Sequence, residues 1–168
     1  MGHNYPVSNY NKMANLTPWQ ASVEKYVKTC TCDRTIVWIC DPEGGHEKST
    51  FFKYMDSHHD TPTIKWSNHK QVHNKISKNQ NRIAYFLDLT GFQPKKFNEL
   101  LYSLEAIRYG HFSFIYDGKC EFVLMRSPVL VVYSNHMPEM EDLTEKWSLY
   151  KLTKGLLLRQ SGRPVLEV

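Results

Sequence analysis

The chain has 168 residues, of which 41% are hydrophobic, and this is enough for one domain with a substantial core. Lys and Arg number 21 against 17 Asp and Glu, a mild positive charge that permits a polyanionic partner without requiring one. The four cysteines do not have the spacing of a disulfide framework, and no apolar run is long enough for a signal peptide or a membrane span. We therefore expect one intracellular, globular domain that has no membrane partner.

The first predicted elements are a leader, a helix and a strand. Residues 1–15 are polar and lack periodicity, which predicts a flexible leader. Thr17 and Pro18 then begin a helix, as N-cap and first helical residue, and this helix ends near Cys30. The apolar run 35–40 predicts a buried strand that leads into the most informative segment of the chain.

A phosphate-binding loop is predicted directly after this strand, followed by a helix over 48–56. In such a loop, backbone N–H groups surround a phosphate, a lysine supplies positive charge and a hydroxyl reaches Mg2+. The pattern departs from the usual one at Glu47, where glycine normally precedes the lysine. An ordinary strand, turn and helix with an exposed lysine is the alternative. The candidate nucleotide-binding residues are Gly44, Gly45, His46, Glu47, Lys48, Ser49 and Thr50.

A second apolar run supplies a candidate metal ligand. Residues 63–66 predict a short strand, and 67–81 predict a thin amphipathic helix with a basic face. The next apolar run ends at Asp88, as a central parallel strand does when it delivers a carboxylate to a site at its carboxyl end. In phosphate-loop enzymes this carboxylate holds Mg2+ or its water, whereas an Asp that only caps a strand is the alternative. Ser49 and Asp88 are the candidate magnesium ligands.

An amphipathic helix over 95–107 is followed by a segment, 108–119, in which aromatic and cationic residues alternate. Asp117 and Gly118 indicate a hairpin turn within it. Rings beside positive charges suit contact with single-stranded nucleic acid, although alternating aromatics are also typical of the inner face of a strand. The candidate nucleic-acid-binding residues are Arg108, His111, Tyr116 and Lys119.

The remaining elements complete the predicted fold. Residues 128–133 predict another buried strand, and Asn135 follows it, where an amide can orient an attacking water. Residues 143–152 are predicted as an edge strand and 153–168 as a basic tail. The pattern as a whole predicts a three-layer α/β P-loop domain over 16–152, with a mainly parallel central sheet.

The order of these motifs over residues 17–152 resembles the superfamily 3 helicase domain, an AAA+-like P-loop NTPase, of viral replication-associated (Rep) proteins. Such proteins occur in small circular single-stranded DNA viruses and their satellites. Residues 41–49 resemble the family's elongated Walker A loop, in which Asp can replace the first Gly, and Asp88 falls at the Walker B carboxylate. Residues 104–116 resemble the motif that presents a DNA-contacting hairpin, and 131–135 resemble motif C. Lys146 with Trp147 looks like the family's Arg-Trp pair, and 17–20 and 34–38 resemble its approach to the Walker A loop.

The resemblance implies an ATP- and Mg2+-dependent helicase that acts on DNA or RNA as a homo-oligomeric ring, a hexamer. It also implies a nicking endonuclease, upstream or separate, and the host nucleus as the location for a DNA-virus protein. Lys48 would hold the β and γ phosphates, Asp88 the magnesium ion and Asn135 the water. Lys146 would reach the nucleotide of the next subunit. These four residues are the candidate catalytic residues.

Four positions depart from the family pattern, and each weakens the expected ATP turnover or strand engagement. Glu47 replaces a glycine, Leu89 follows Asp88 in place of a second acidic residue, and Ile115 precedes Tyr116 in place of a lysine. Lys146 replaces an arginine and cannot reproduce its forked contact. These departures favour an alternative, a P-loop fold that binds nucleic acid or assembles with little ATPase activity. Another P-loop enzyme, such as a small kinase, fits the Asn135 motif and the hairpin less well.

Overall fold

The computed structural model describes residues 15–30, 34–92, 97–139, 143 and 145–168, and all structural statements below concern these residues. They form four helices and eight strands. The helices are α1 (Pro18–Thr29), α2 (Lys48–His59), α3 (His69–Ser77) and α4 (Phe97–Tyr109). The strands are β1 (Ile36–Cys40), β2 (Thr63–Lys65), β3 (Ala84–Asp88), β4 (His111–Tyr116), β5 (Lys119–Leu124), β6 (Val129–Ser134), β7 (Trp147–Thr153) and β8 (Leu156–Gly162).

Six strands form one sheet in the order β2-β3-β6-β1-β7-β8. Every pairing up to β7 is parallel, and only β8 runs antiparallel to its neighbour. All five side chains of β1 are buried, because β1 lies between β6 and β7 and is covered on both faces. The predicted α/β class and mostly parallel sheet are therefore confirmed.

The two faces of the sheet are covered by different elements. Val37 and Ile39 point to one face and pack in a cluster with residues of α1 and α2. Ile36, Trp38 and Cys40 point to the other face and pack in a cluster with residues of α3, α4 and the β4–β5 hairpin. This alternation, which follows from the period of two in a strand, gives three layers with the sheet in the middle.

Several boundaries differ from the predicted ones. Helix α2 continues to His59, beyond the predicted 48–56, and α3 is shorter than the predicted 67–81. The start of the predicted helix 95–107, and the predicted leader except Asn15, lie outside the described residues. Thr17 is the N-cap of α1 as predicted, and its backbone N–H donates to the side chain of Gln20 at 3.0 Å.

The prediction of an edge strand at 143–152 is wrong. Strand β7 is paired on both sides, with β1 and with β8, so β8 forms that edge of the sheet. Strand β8 lies within 153–168, which we predicted as a basic tail, so the sheet continues past residue 152. Lys154 and Gly155 both have positive φ, of 50° and 77°, which fits a two-residue hairpin turn between the two strands.

No helix among the described residues is long and apolar enough to span a membrane.

The β4–β5 hairpin confirms the predicted turn at Asp117-Gly118, where φ is 50° and 72°, as a two-residue turn of this kind requires. Its inner face packs on the core through Phe112, Phe114 and Val123. Gly110 joins α4 to the hairpin with φ of 82°, and a Cβ atom there would lie 2.6 Å from the backbone oxygen of Met125. This close backbone approach fixes the hairpin against α4.

Gly110→Ala is expected to lower the free energy of unfolding by roughly 3 kcal/mol or more, because it combines a positive φ with a clash against backbone. Denaturant unfolding followed by tryptophan fluorescence measures the change. Gly118→Ala is the matched control, since Gly118 also has positive φ but its Cβ would meet no atom within 4 Å. We expect that control to lose only about 1–2 kcal/mol. Equal losses for the two variants would contradict the close packing of Gly110.

Candidate functional site

Three of the four predicted catalytic residues, Lys48, Asp88 and Asn135, lie with the predicted nucleotide-binding residues at the carboxyl edge of the parallel strands. Asp41 follows β1, Asp88 ends β3 and Asn135 follows β6, and these three strands are neighbours in the sheet. In open α/β sheets this edge is where ligands bind. A cavity of about 260 Å3 lies there between the β1–α2 loop and the ends of the strands. Its lining residues are Asp41, Gly44, Gly45, His46, Glu47, Lys48, Ser49, Thr50, Thr90, Tyr133 and Asn135.

Lys48 and Asp88 form an ion pair beside this cavity. The Lys48 ammonium donates to both carboxylate oxygens of Asp88 at 3.0 Å and also to the Thr90 hydroxyl. The ammonium lies 5.3 Å from the ring centre of Tyr133, within range of a cation–π contact. The side chains of the pair are only 15% and 17% exposed. The cation predicted to hold phosphate and the carboxylate predicted to hold Mg2+ are thus each other's partners in this structure.

The surroundings of Asp88 favour its ionised form. Burial by itself would raise the pKa of this carboxyl. The hydroxyl and backbone N–H of Thr90, together with the Lys48 ammonium, outweigh burial and lower the pKa of Asp88 below its ordinary value. Thr90 was not among the predicted site residues. A hydroxyl two positions after a strand-ending Asp is the signal that points to it.

Asp41 is fully buried and organises the loop. One carboxylate oxygen accepts the backbone N–H of Gly44 at 3.0 Å. The other accepts from His46 Nδ1 at 2.9 Å and from the hydroxyl of Tyr133. Burial and the adjacent Asp41 carboxylate raise the pKa of Tyr133, so this phenol remains a donor. Tyr133, at the end of a predicted buried strand, was not among the predicted site residues, and Asp41 was predicted only as the first residue of the loop.

His46 connects the loop to the far end of the sheet. The backbone N–H of Gly155 donates to His46 Nε2 at 3.2 Å, so the proton of the neutral ring lies on Nδ1 and is donated to Asp41. Gly155 belongs to the turn between β7 and β8. His46 therefore holds the β1–α2 loop to the end of β1 on one side and to the β7–β8 turn on the other.

Glu47 has the backbone conformation that favours glycine. Its φ and ψ are 57° and 32°, in the left-handed region, and it is the N-cap of α2. Gly44 and Gly45 also have positive φ, of 71° and 77°. This confirms that the position before Lys48 is one where a side chain is resisted. Successive backbone N–H groups in such a loop form a concave site suited to an anion.

Asn135 is held at the same cavity by two hydrogen bonds. Its side-chain nitrogen donates to the backbone oxygen of Asp41 at 2.9 Å, and its side-chain oxygen accepts the backbone N–H of Gly91 at 3.3 Å. The amide therefore bridges the ends of β1 and β3. Its role toward a water molecule stays a prediction.

The other predicted site residues lie elsewhere. Lys146 immediately precedes β7, at the amino edge of the sheet, so it cannot reach the cavity beside Lys48 in its own chain. His111 and Lys119 are exposed at the two ends of the hairpin, whereas Tyr116 is half-buried against the core.

Arg108 does not suit the predicted contact with nucleic acid, because it is 1% exposed. Its guanidinium donates to the backbone oxygens of Thr35, at 2.9 Å, and of Pro128. The residue lies on the inward face of α4, which extends two residues past the predicted end at 107. Its buried hydrogen bonds tie α4 to the segments that precede β1 and β6.

Comparison with known proteins gives a short match. Over 41 residues the chain is 44% identical to Para-Rep C7 of the Faba bean necrotic yellows C7 alphasatellite and to Para-Rep C10 of the Milk vetch dwarf C10 alphasatellite. The match covers 24% of this chain and 14% of each relative, so the chain spans about one-seventh of the length of these curated relatives. No family model matches the chain. The similarity is therefore to viral Rep-type proteins over one stretch.

A double-mutant cycle with Lys48→Met and Asp88→Asn measures the ion pair. We expect a coupling energy of about 1–2 kcal/mol at neutral pH, since the pair is largely shielded from water. The folded pKa of Asp88 lies below its unfolded value, so this coupling is complete above the unfolded pKa, about 3.9. It is lost as the pH falls through the folded pKa. Urea unfolding at several pH values provides the test, and a coupling energy that does not change with pH would contradict the pair.

Proposed function

We propose that this chain is the nucleotide-binding P-loop domain of a viral replication-associated protein, of the superfamily 3 helicase type, that binds ATP with Mg2+. The observation that carries the proposal is the position of Lys48, 3.0 Å from the Asp88 carboxylate and next to a loop with left-handed backbone at Gly44, Gly45 and Glu47. The short similarity to alphasatellite Para-Rep proteins supports it.

Lys48 and the loop suit the phosphates of a nucleotide. Lys48 begins α2, so the free N–H groups of the first turn of this helix and the ammonium face the same cavity. The cavity, of about 260 Å3, opens to solvent. Binding of a phosphate would draw the ammonium away from Asp88, and the carboxylate would then become available to a cation.

Ser49 and Asp88 suit the magnesium ion of the nucleotide. Both border a second cavity of about 220 Å3 next to the first. Among the described residues, no group of three or more His, Cys, Asp or Glu side chains is arranged to hold a metal alone. One hydroxyl and one carboxylate, from Ser49 and Asp88, fit Mg2+, which keeps several waters and takes one or two carboxylates together with substrate phosphates. The bound ion would neutralise charge on the phosphates, and Asn135 would orient the attacking water.

The assembly we propose is a homo-oligomeric ring, a hexamer, that acts on DNA or RNA. Lys146 lies at the opposite edge of the sheet from Lys48, which suits a residue that acts on the nucleotide of an adjacent subunit. A nicking endonuclease, upstream or separate, would provide the free strand end, and for a DNA virus the process takes place in the host nucleus.

A second candidate function is a nucleic-acid-binding or assembly module with weak ATPase activity. Three features of the loop favour it. The N–H of Gly44 is already bonded to Asp41, the Lys48 ammonium is already paired with Asp88, and Glu47 adds negative charge where a phosphate would bind. The free energy of nucleotide binding would have to offset both of these contacts and the repulsion from Glu47.

Magnesium-dependent ATP hydrolysis by wild type and Lys48→Ala decides between these functions. For an active enzyme we expect the variant to be about 100- to 1,000-fold slower, which is the usual cost of losing one charge stabiliser. Lys75→Ala removes an exposed lysine from α3 and should keep the wild-type rate. Equal background rates for wild type and Lys48→Ala, with both proteins folded, would reject the helicase and favour the module.

Glu47→Gly is expected to strengthen the binding of Mg-ATP about three- to tenfold, because it removes a carboxylate beside the phosphates. Titration calorimetry gives the dissociation constants. Glu47→Gln removes the charge and keeps the side chain, so it should recover most of the gain in affinity.

Asn81→Gly is the backbone control for this substitution. Asn81 has φ of 63°, and it lies outside the residues that line the candidate cavity. We expect this control to change stability and leave the affinity for ATP as in wild type. Unchanged or weaker binding by both Glu47 variants would show that the phosphates do not lie at this loop.

A further inference from the structure

A short turn after β3 brings Thr90 against the carboxylate of Asp88. The backbone N–H of Phe92 donates to the backbone oxygen of Leu89 at 2.9 Å, which closes a four-residue turn. Gly91, the third residue of this turn, has φ of 80°, which fits a type II turn. The backbone N–H of Leu89 donates to a backbone oxygen near the end of β6 at 2.8 Å, so the turn is fixed against the sheet. The backbone therefore holds Thr90 in a defined place beside the carboxylate.

Thr90 donates twice to the same oxygen of Asp88. Its backbone N–H lies 2.9 Å from Asp88 Oδ1, and its hydroxyl oxygen lies 2.5 Å from that atom. The hydroxyl oxygen also accepts from the ammonium of Lys48. A hydroxyl has one proton, and an ionised carboxylate only accepts hydrogen bonds, so the proton of Thr90 is directed to Asp88 Oδ1. These contacts fix the orientation of the hydroxyl and of the carboxylate together.

The two oxygens of Asp88 have different partners as a result. Oδ1 accepts from both donors of Thr90 and from Lys48, whereas Oδ2 accepts only from Lys48 among the residues that the structure describes. If a phosphate drew the ammonium away, Oδ1 would keep both donors of Thr90 and Oδ2 would have none. Thr90 borders the larger cavity with Lys48, and Asp88 borders the smaller one with Ser49. Thr90 therefore connects the lysine of one cavity with the carboxylate of the other.

We propose that Thr90 is a positioning residue that occupies Asp88 Oδ1 and leaves Oδ2 as the oxygen offered to the cation of the nucleotide. This inference rests on the proposed function, because it takes Asp88 and Ser49 as the ligands of a divalent cation. Carboxylates that bind metals are commonly oriented by hydrogen bonds from neighbouring groups, and these neighbours tune the affinity for the metal. Thr90 acts through Asp88 and does not itself contact the cation.

A purely structural role accounts for only part of these contacts. A turn closed by an Asp side chain needs only the backbone N–H two residues further on, which is that of Thr90. The hydroxyl adds a second donor to the same oxygen and an acceptor for Lys48, and neither contact is needed to close the turn. Thr90 is half-buried and borders the phosphate cavity, so its side chain does not fill the core. The hydroxyl therefore serves the site.

Urea unfolding of the ligand-free protein tests the contact between Thr90 and Asp88. We expect Thr90→Val to lower the folding equilibrium constant about tenfold or more, because a hydrogen bond to a charged group is lost. The same substitution made in Asp88→Ala should have a much smaller effect, since the acceptor is already absent. Thr90→Ser keeps the hydroxyl and should resemble the wild type. Thr29→Val, at the exposed end of α1, is the control and should have the same effect in both backgrounds.

Binding of Mn2+ together with adenylyl imidodiphosphate, a non-hydrolysable ATP analogue, tests the role toward the cation. We expect Thr90→Val to weaken Mn2+ binding, measured by electron paramagnetic resonance, about 10- to 100-fold, the usual effect of losing a group that orients a metal ligand. Binding of the analogue alone, measured by calorimetry in EDTA, should keep the wild-type affinity because Lys48 and the loop are unchanged. Thr90→Ser should bind Mn2+ like the wild type.

The possible outcomes are distinguishable. Equal effects of Thr90→Val in the wild-type and Asp88→Ala backgrounds would overturn the proposal, and so would wild-type Mn2+ affinity in Thr90→Val. Equal losses of affinity with and without Mn2+ would show that Thr90 contacts the nucleotide directly, which also overturns it. If the wild-type protein bound neither Mn2+ nor the analogue while the unfolding measurements gave the expected result, the proposed function would be rejected together with the cation role of Thr90. Only the contact between Thr90 and Asp88 would then remain.

Discussion

The buried carboxylate of Asp41 sets the shape of the candidate site. A carboxylate removed from water must be compensated, and here the compensation comes from the Gly44 N–H, the His46 ring and the Tyr133 hydroxyl. These donors belong to the loop and to β6, so satisfying one charge fixes the loop against the sheet. The backbone oxygen of Asp41, which accepts from Asn135, extends the same network toward β3. The loop therefore has a defined form before any ligand binds.

The ion pair of Lys48 with Asp88 differs from the hydrogen-bond network of Asp41. Its side chains are only 15% and 17% exposed, so a ligand that contacts either of them would have to compete with the other. Under the proposed function, a phosphate at Lys48 would replace one anion with another, and a cation at Asp88 would do the converse. The net gain on binding would be the difference between these contacts, which would lower the affinity relative to a site that starts with unpaired groups. Asp41 thus fixes the loop, whereas a bound nucleotide would have to separate the Lys48–Asp88 pair.

The sequence predicted strands β1, β2, β3, β6 and β7 and the order of the motifs, and it placed Lys48 and Asp88 at one site. Each of these predictions rests on a local pattern, an apolar run that ends in a polar residue. The hairpin turn at Asp117-Gly118 was predictable for the same reason. Arg108 was misassigned because burial of an arginine depends on two backbone oxygens that lie far away in the chain.

The edge of the sheet was misassigned for a related reason. Strand pairing is a long-range property, and the sequence of β7 does not reveal that β8 lies beside it. The same two strands give the His46–Gly155 contact its consequence. An insertion in the β7–β8 turn would withdraw an amide from the imidazole and free one side of the loop. Changes in the length of a surface turn would thus alter the conformation of the β1–α2 loop at a distance in sequence, with every recognisable motif left intact.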